Sequence, residues 1–378
     1  CLSKNTVEVP YTELVERVMS IGRVNPNAIE KVRGIIQDIY TRDIPTKHDW
    51  QFLFTSSAIT TVEEYDTGNA SINTGTQIVS FSTDAVMIDS MNGRKIKFAG
   101  NEVVYDINSF MTTGSLQILP PLQGGSNITN GSYTIFQPVY ALAGDFDRFP
   151  KDGGVYKWTG GAKERLMEEP YGEYTENFAV NPSTPDKMRI VGLDTAGNTL
   201  IEFRPAPNNA RVYSYDYLKR LSPMIENTQG LIKGISANAT VVVAQTNGNF
   251  VHSFGSDNKV IQSAYFRINV FGTGQDSSWF KVNGISSNSD ATIATAFGNS
   301  AVTTANYVLC TAPQIPNRLH PAILYGAIAH ILTDQGDEKA SVYFNRYAQV
   351  LSDAKRIYVS RTYSQDIHGI QEDWDYRR

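Results

Sequence analysis

Four glutamates, Glu168, Glu169, Glu173 and Glu176, share one acidic, aromatic stretch with Tyr171 and Tyr174. Neighbouring carboxylates can serve as general acid and base, and the tyrosines beside them would suit a sugar. A solvated loop or a subunit contact accounts for the same residues more simply. Asp145 and Asp147, in Gly144-Asp145-Phe146-Asp147-Arg148, could face a hard cation. Two carboxylates make a poor cage without further oxygens, so turn or cap duty is favoured. His252-Ser253 sets a base beside a hydroxyl, with no nucleophile elbow and no third member to orient the pair. The other histidines, His48, His320, His330 and His368, are scattered, and His330 reads as a packed or rim residue of a helix. Gly272-Thr273-Gly274 is a turn among strands, not a phosphate-binding strand-to-helix junction. No His-Glu-x-x-His and no cysteine pair at metal spacing occurs. The expectation is a protein that is not an enzyme, with no catalytic, cofactor-binding or metal-binding residues and no cofactor.

Composition agrees. The 378 residues suit two or three compact units, at roughly 100–200 residues each. Charged residues are 19%, below the usual share of about 25%, so the polar surface is built largely from Asn, Ser, Thr, Gly and Tyr, with 29 Gly and 20 Tyr. A net charge of −5 does not suit binding dominated by nucleic-acid phosphates. Cys1 and Cys310 cannot build a disulfide framework, and Cys310 reads as a small buried residue of a strand. No run of 18 apolar residues is present, so no membrane helix is expected, and Cys1–Asn5 opens without an apolar signal core. The Asn-x-Ser/Thr sites at Asn69, Asn127, Asn130 and Asn238 matter only for a secreted eukaryotic protein, which nothing here suggests.

The elements that must position these residues read as α+β: a helical frame at both ends and two related small antiparallel β-barrel or sandwich modules inserted. Residues 1–68 hold N-terminal helices and a first strand. Thr12 is expected to cap one helix and Asn27, with Glu30, the next; Pro45 should end the unit, and Trp50, Phe52 and Phe54 alternate as in a strand. Residues 69–138 carry only seven charges, with short apolar runs between glycine and asparagine turns, and form the first β module. Residues 139–234 are a central β-rich segment, with a short helix over Lys163–Glu169 and a hairpin across Thr195–Asn198. Residues 235–313, with six charges, read as a second β module and a repeat of the first. Arg94–Phe98 then matches Phe266–Val270, Val104–Ile107 matches Trp279–Val282, Leu116–Ile118 matches Ala291–Ile293, and Tyr133–Ile135 matches Tyr307–Leu309. Residues 314–362 form a C-terminal helical hairpin opened by Pro321 and turned at Gly336, and 363–378 an extended tail.

The order of several short motifs resembles the head-to-tail adaptor, or connector, proteins of tailed bacteriophages. They are Trp50–Leu53, Tyr140–Arg148, Leu200–Pro207, Val212–Tyr217 and Ile315–Gly326. The stretch Gly93–Gly100, with Val104-Tyr105 and Ser132–Phe136, is similar to a β insert of such phage proteins. The second β module exceeds the smaller adaptors. The resemblance implies a structural virion protein in the neck, assembled in the bacterial host cytoplasm. It implies a homo-oligomeric ring of twelve copies between the portal and the next neck or tail component. DNA would pass through the bore during ejection without sequence-specific binding, and no membrane would be involved. The tail of such a protein reaches the portal, which makes Arg361, Tyr363, Ile367, Ile370, Trp374, Tyr376, Arg377 and Arg378 candidates for portal contact. Aromatics suit grooves between subunits, and arginines suit carboxylates. The alternative is a tail or surface binding module whose β domains hold carbohydrate, with Tyr105 and Trp279 as stacking residues.

Overall fold

Phe54 begins a strand that belongs with residues far along the chain, and this divides the molecule. A computed structural model describes residues 8–124, 126–151, 153–169, 182–228, 231–235, 239–244, 250, 263–269, 278–297 and 304–359. The chain forms two units, residues 54–219 and residues 1–53 with 220–378. The class is α+β: N-terminal helices, four sheets that are antiparallel but for one short pair, and a C-terminal helical hairpin.

The helices lie in the discontinuous unit. Helix α1 (Tyr11–Ile21) buries Tyr11, Leu14, Val15 and Val18, an i, i+3, i+4, i+7 face. Thr12 does not cap it; α1 starts after Pro10, and the Thr12 hydroxyl donates to Glu226 at 2.8 Å. Asn27 is likewise not a cap. Asn25 accepts from the Asn27 N–H at 2.9 Å and starts a 3-10 turn that leads into α2 (Ile29–Asp38). Pro45 does not end the unit, because it falls in the first turn of α3 (Ile44–Lys47), where its missing N–H costs nothing. Trp50 is fully buried and donates to the Ile44 carbonyl at 2.7 Å. Its backbone bridges Val359, and Gln51–Leu53 form a 3-10 turn, so the expected strand begins only at Phe54.

The hairpin α4 (His320–Asp334) and α5 (Ala340–Tyr358) turns at Gly336, whose φ of +70° needs a residue without Cβ. Gly326 serves close approach: a Cβ there would meet Ile39 Cδ1 at 3.2 Å and Tyr347 Cδ2 at 3.3 Å.

The other unit holds three sheets. Strands β1 (Phe54–Thr60), β2 (Ala70–Ile72), β3 (Ile78–Phe81), β4 (Lys95–Phe98) and β5 (Val104–Thr112) come first. Then follow β6 (Ser115–Leu119), β7 (Ile128–Gly131), β8 (Tyr133–Phe136), β9 (Val139–Ala141) and β10 (Phe146–Arg148). The last are β11 (Gly154–Thr159), β12 (Ala162–Arg165), β13 (Met167–Glu168), β14 (Lys187–Leu193), β15 (Thr199–Arg204) and β16 (Val212–Lys219). One sheet runs β1-β16-β11-β12, with β10 also on β16, and a second runs β13-β14-β15-β9. The helix expected over Lys163–Glu169 is β12 and β13 instead. Gly160 and Gly161, at φ +58° and +84°, make a tight hairpin that sets Trp158 opposite Lys163.

The third sheet is the first β module, in the order β7-β2-β3-β6-β5-β4-β8. The second module lies in the helical unit and adds β17 (Glu226–Asn227), β18 (Ile232–Gly234), β19 (Val241–Ala244), β20 (Ala264–Asn269), β21 (Phe280–Ile285), β22 (Asp290–Ile293) and β23 (Asn306–Thr311). It starts before residue 235, because two- and three-residue strands leave no readable alternation.

Its order is β17-β23-β20-β21-β22-β19-β18, in which β23-β20-β21-β22-β19-β18 repeats β8-β4-β5-β6-β3-β2 of the first module; β7 and β17 are matched in the other module only by single bridges. The registers agree. Val79 faces Leu116 as Val242 faces Ala291, and Ile107 faces Ile118 as Val282 faces Ile293. A bulge follows Ile107 and recurs after Val282. Ala70 lies opposite Gly131 as Ile232 lies opposite Ala305, so each sheet curls until its early and late strands meet. Tyr65 bridges Ile135 as Asn227 pairs with Leu309. One sequence match shifts by two residues: Ile96 pairs with Tyr105 and Ile135, and its counterpart between Phe280 and Leu309 is Phe266, not Ile268. A slip of two keeps every side chain on its face, so the pattern alone cannot detect it.

Candidate functional site

The eight portal-contact candidates, Arg361 to Arg378, lie outside the described residues, as do Glu173, Glu176, His252, Ser253, His368 and Gly272–Gly274. Helix α5, which leads towards them, buries only Tyr347, Leu351 and Ala354 and leaves Val342, Phe344 and Ile357 exposed.

Of the acidic candidates that are described, Glu168 lies exposed on β13, and Glu169 is held by cations. Glu169 accepts from Arg204 at 2.9 Å and lies 3.8 Å from Lys187. Glu202, 2% exposed, takes Arg189 and, at 3.4 Å, Arg204. This is a cross-strand ion cluster on β14 and β15; breaking one side of such a buried pair is costly, which suits a structural role. Sequence spacing missed it because its members come together only through the pairing of Arg189 with Glu202. Asp145 accepts from the Tyr217 hydroxyl at 2.5 Å; burial first, and then this carboxylate, push the Tyr217 phenol above its ordinary range. Asp147 pairs with Arg148 at 2.6 Å. No group of three or more His, Cys, Asp or Glu suited to a metal occurs among the described residues.

Of the remaining reactive types, Cys310 and His320 are packed. Cys310 is fully buried, and desolvation pushes its thiol up to about 11, too high for a nucleophile. His320 accepts from the Val9 N–H at 3.2 Å on Nδ1, with Nε2 3.2 Å from the Ile315 carbonyl, and burial lowers its pKa. His330 is exposed at the rim, edge-on to Phe344.

The two modules differ on their outer faces. In the second, acidic residues of α1 and the segment before it cover the β20–β23 face. Glu16 accepts from both terminal guanidinium nitrogens of Arg267, Glu8 accepts from the Tyr265 hydroxyl, and Lys281 lies 3.6 Å from Glu8. Arg267 also stacks 4.4 Å over Trp279. Val308 and Cys310 are buried on that face. In the first module the position of Arg267 is taken by Lys97, with no ion pair among the described residues. A cavity of about 520 Å³ opens there, lined by Asp66, Lys97, Asn101, Glu102, Tyr133 and Thr134 among others.

No protein-family model matches the chain, and no curated protein matches its sequence. Among the described residues, no helix is long and apolar enough to cross a membrane.

Proposed function

We propose that this chain is a head-to-tail adaptor of a tailed bacteriophage, a structural virion protein. It forms a ring, of twelve copies in this reading, between the portal and the next neck or tail component, and leaves a bore for DNA. The sequence resemblance brings this reading, and α5 is the observation that supports it best. A helix of 19 residues that buries one narrow stripe, and leaves Val342, Phe344 and Ile357 exposed at separate places around it, has apolar side chains that neighbouring copies could cover. Residues 363–378 are assigned to the portal. Negative-stain images of the purified protein, alone and with portal, test the reading directly. Rings are expected, and removal of 363–378 is expected to weaken portal docking while the fold stays intact. Full docking by the truncated protein would end the tail assignment; particles that never form rings would end the adaptor reading.

The carbohydrate-binding alternative loses support at both of its stacking residues. Tyr105 is fully buried, with its hydroxyl tied to Asn101 and Gln123, and Trp279 is occupied by Arg267.

A further inference from the structure

We propose that neighbouring copies join edge to edge, with β1 of one copy adding to β12 of the next so that one sheet continues across the seam. This rests on the ring reading above and names its lateral contact. The sheet β1-β16-β11-β12 has two ends, and among the described residues neither end strand has a partner on its outer side.

An open strand edge presents unpaired N–H and C=O groups to any passing chain, and proteins normally guard it. Strand β1 is unguarded. Phe54-Thr55-Ser56-Ser57-Ala58-Ile59-Thr60 has no charge, no proline and no bulge in its register with β16, and Phe54, Ser56, Ala58 and Thr60 are exposed. Strand β12 is the opposite kind of edge: short, exposed at all four residues, and carrying Lys163, Glu164 and Arg165.

The directions fit. Each neighbour in β1-β16-β11-β12 is antiparallel, so β1 and β12 run opposite ways, and a copy added at either end continues an antiparallel ladder. The charges fit as well. Strand β1 runs out into Glu63, Glu64 and Asp66, for which no ion pair is found among the described residues. In the antiparallel join, the Lys163 end of β12 arrives at that acidic exit; within one copy Lys163 lies 3.1 Å from Asp216, so the join sets it between that carboxylate and the acids of the next copy. Exposed Trp158 stands opposite Lys163, one strand in from the seam, as an aromatic anchor. The two edges differ, so the contact is head-to-tail, the kind that closes into a ring.

The test is disulfide trapping in full-length protein carrying Cys1→Ser. Ser57→Cys and Glu164→Cys are made singly and together. The double variant is expected to give a ladder of linked copies under mild oxidation, a mixture of the two singles to give linked dimers, and neither single to link alone. Dimers of Ser57→Cys alone would mean that β1 pairs with itself, and would overturn the proposal. Rings in the microscope without any ladder would overturn it and leave the adaptor reading standing; absence of both would remove the two together. Amide exchange in the unmodified protein provides a check that needs no variant. Residues 54–60 and 162–165 are expected to gain protection together as protein concentration rises, and unchanged exchange at both would overturn the join.

Discussion

The two β modules share strand order, register and a bulge, yet the outer face of one is covered and that of the other, among the described residues, opens on a cavity. Inside, they are alike: Val79 and Val242, Ile118 and Ile293, Tyr133 and Tyr307 hold matching places in two separate cores. Outside, they part. The second module turns Val308, Cys310, Tyr265 and Arg267 towards α1 and its acids, and all four are nearly buried. The first turns Lys97 and Thr134 towards a cavity. The strand plan is set by the inward residues, while the outward ones record what each copy is packed against.

The largest effects are expected in the two cores. Phe266→Ala and Ile96→Ala occupy matching inward sites, both fully buried, and each is expected to cost about 3–4 kcal/mol through lost burial and an unfilled cavity. Denaturant unfolding followed by a probe in each unit should show each loss confined to its own unit. Similar losses at both sites support equivalence; a negligible loss at either would refute it.

The outer faces should respond unequally. Arg267→Ala strips a largely buried guanidinium from Glu16 and Trp279. Glu16 is half-exposed, so the cost is expected to be about 2 kcal/mol rather than the larger figure of a fully buried pair. Lys97→Ala at the matching place should change stability by less than about 0.5 kcal/mol. Equal effects in the same unfolding experiment would mean that Lys97 is engaged after all.

A pH effect separates the frame from the open module. Burial lowers the pKa of His320 in the folded state below its unfolded value of about 6.5. Its contribution is therefore whole above that pH and is lost as pH falls towards the lowered folded value, because the unfolded chain takes up the proton first. His320→Gln should flatten the loss of stability of the helical unit as pH falls below about 6.5, and should leave the unit of residues 54–219 unchanged. The smallest effect belongs to Cys310: a thiol reagent should modify it only as fast as the helical unit opens, and faster labelling would contradict its burial.

Alternation and turn residues made the two charge-poor β segments readable, and helical spacing did the same for α1, α2, α4 and α5. Local competition escaped the sequence. Whether Asn25 or Asn27 caps, whether Pro45 stops or starts a helix, and whether Lys163–Glu169 coils or pairs all depend on what lies across from them. The register of the repeat escaped for a different reason: nine residues separate Ile96 from Tyr105 but fourteen separate Phe266 from Phe280, and a two-residue slip leaves the alternation intact. The ion cluster of Glu169, Glu202, Arg189 and Arg204 has no sequence signature, because its partners are up to 35 residues apart.

By itself, the sequence determined the inventory: α+β, charge-poor strands between helical ends, and no catalytic motif. Those follow from residue type and period, which act over a few positions. Tertiary structure alone decided that β1 pairs with β16 across the chain, that α1 lies on the second module, and that β1 and β12 are left as edges. Each of these depends on long-range pairing, where the partner is chosen by which backbone and apolar groups remain unsatisfied once the local elements have formed.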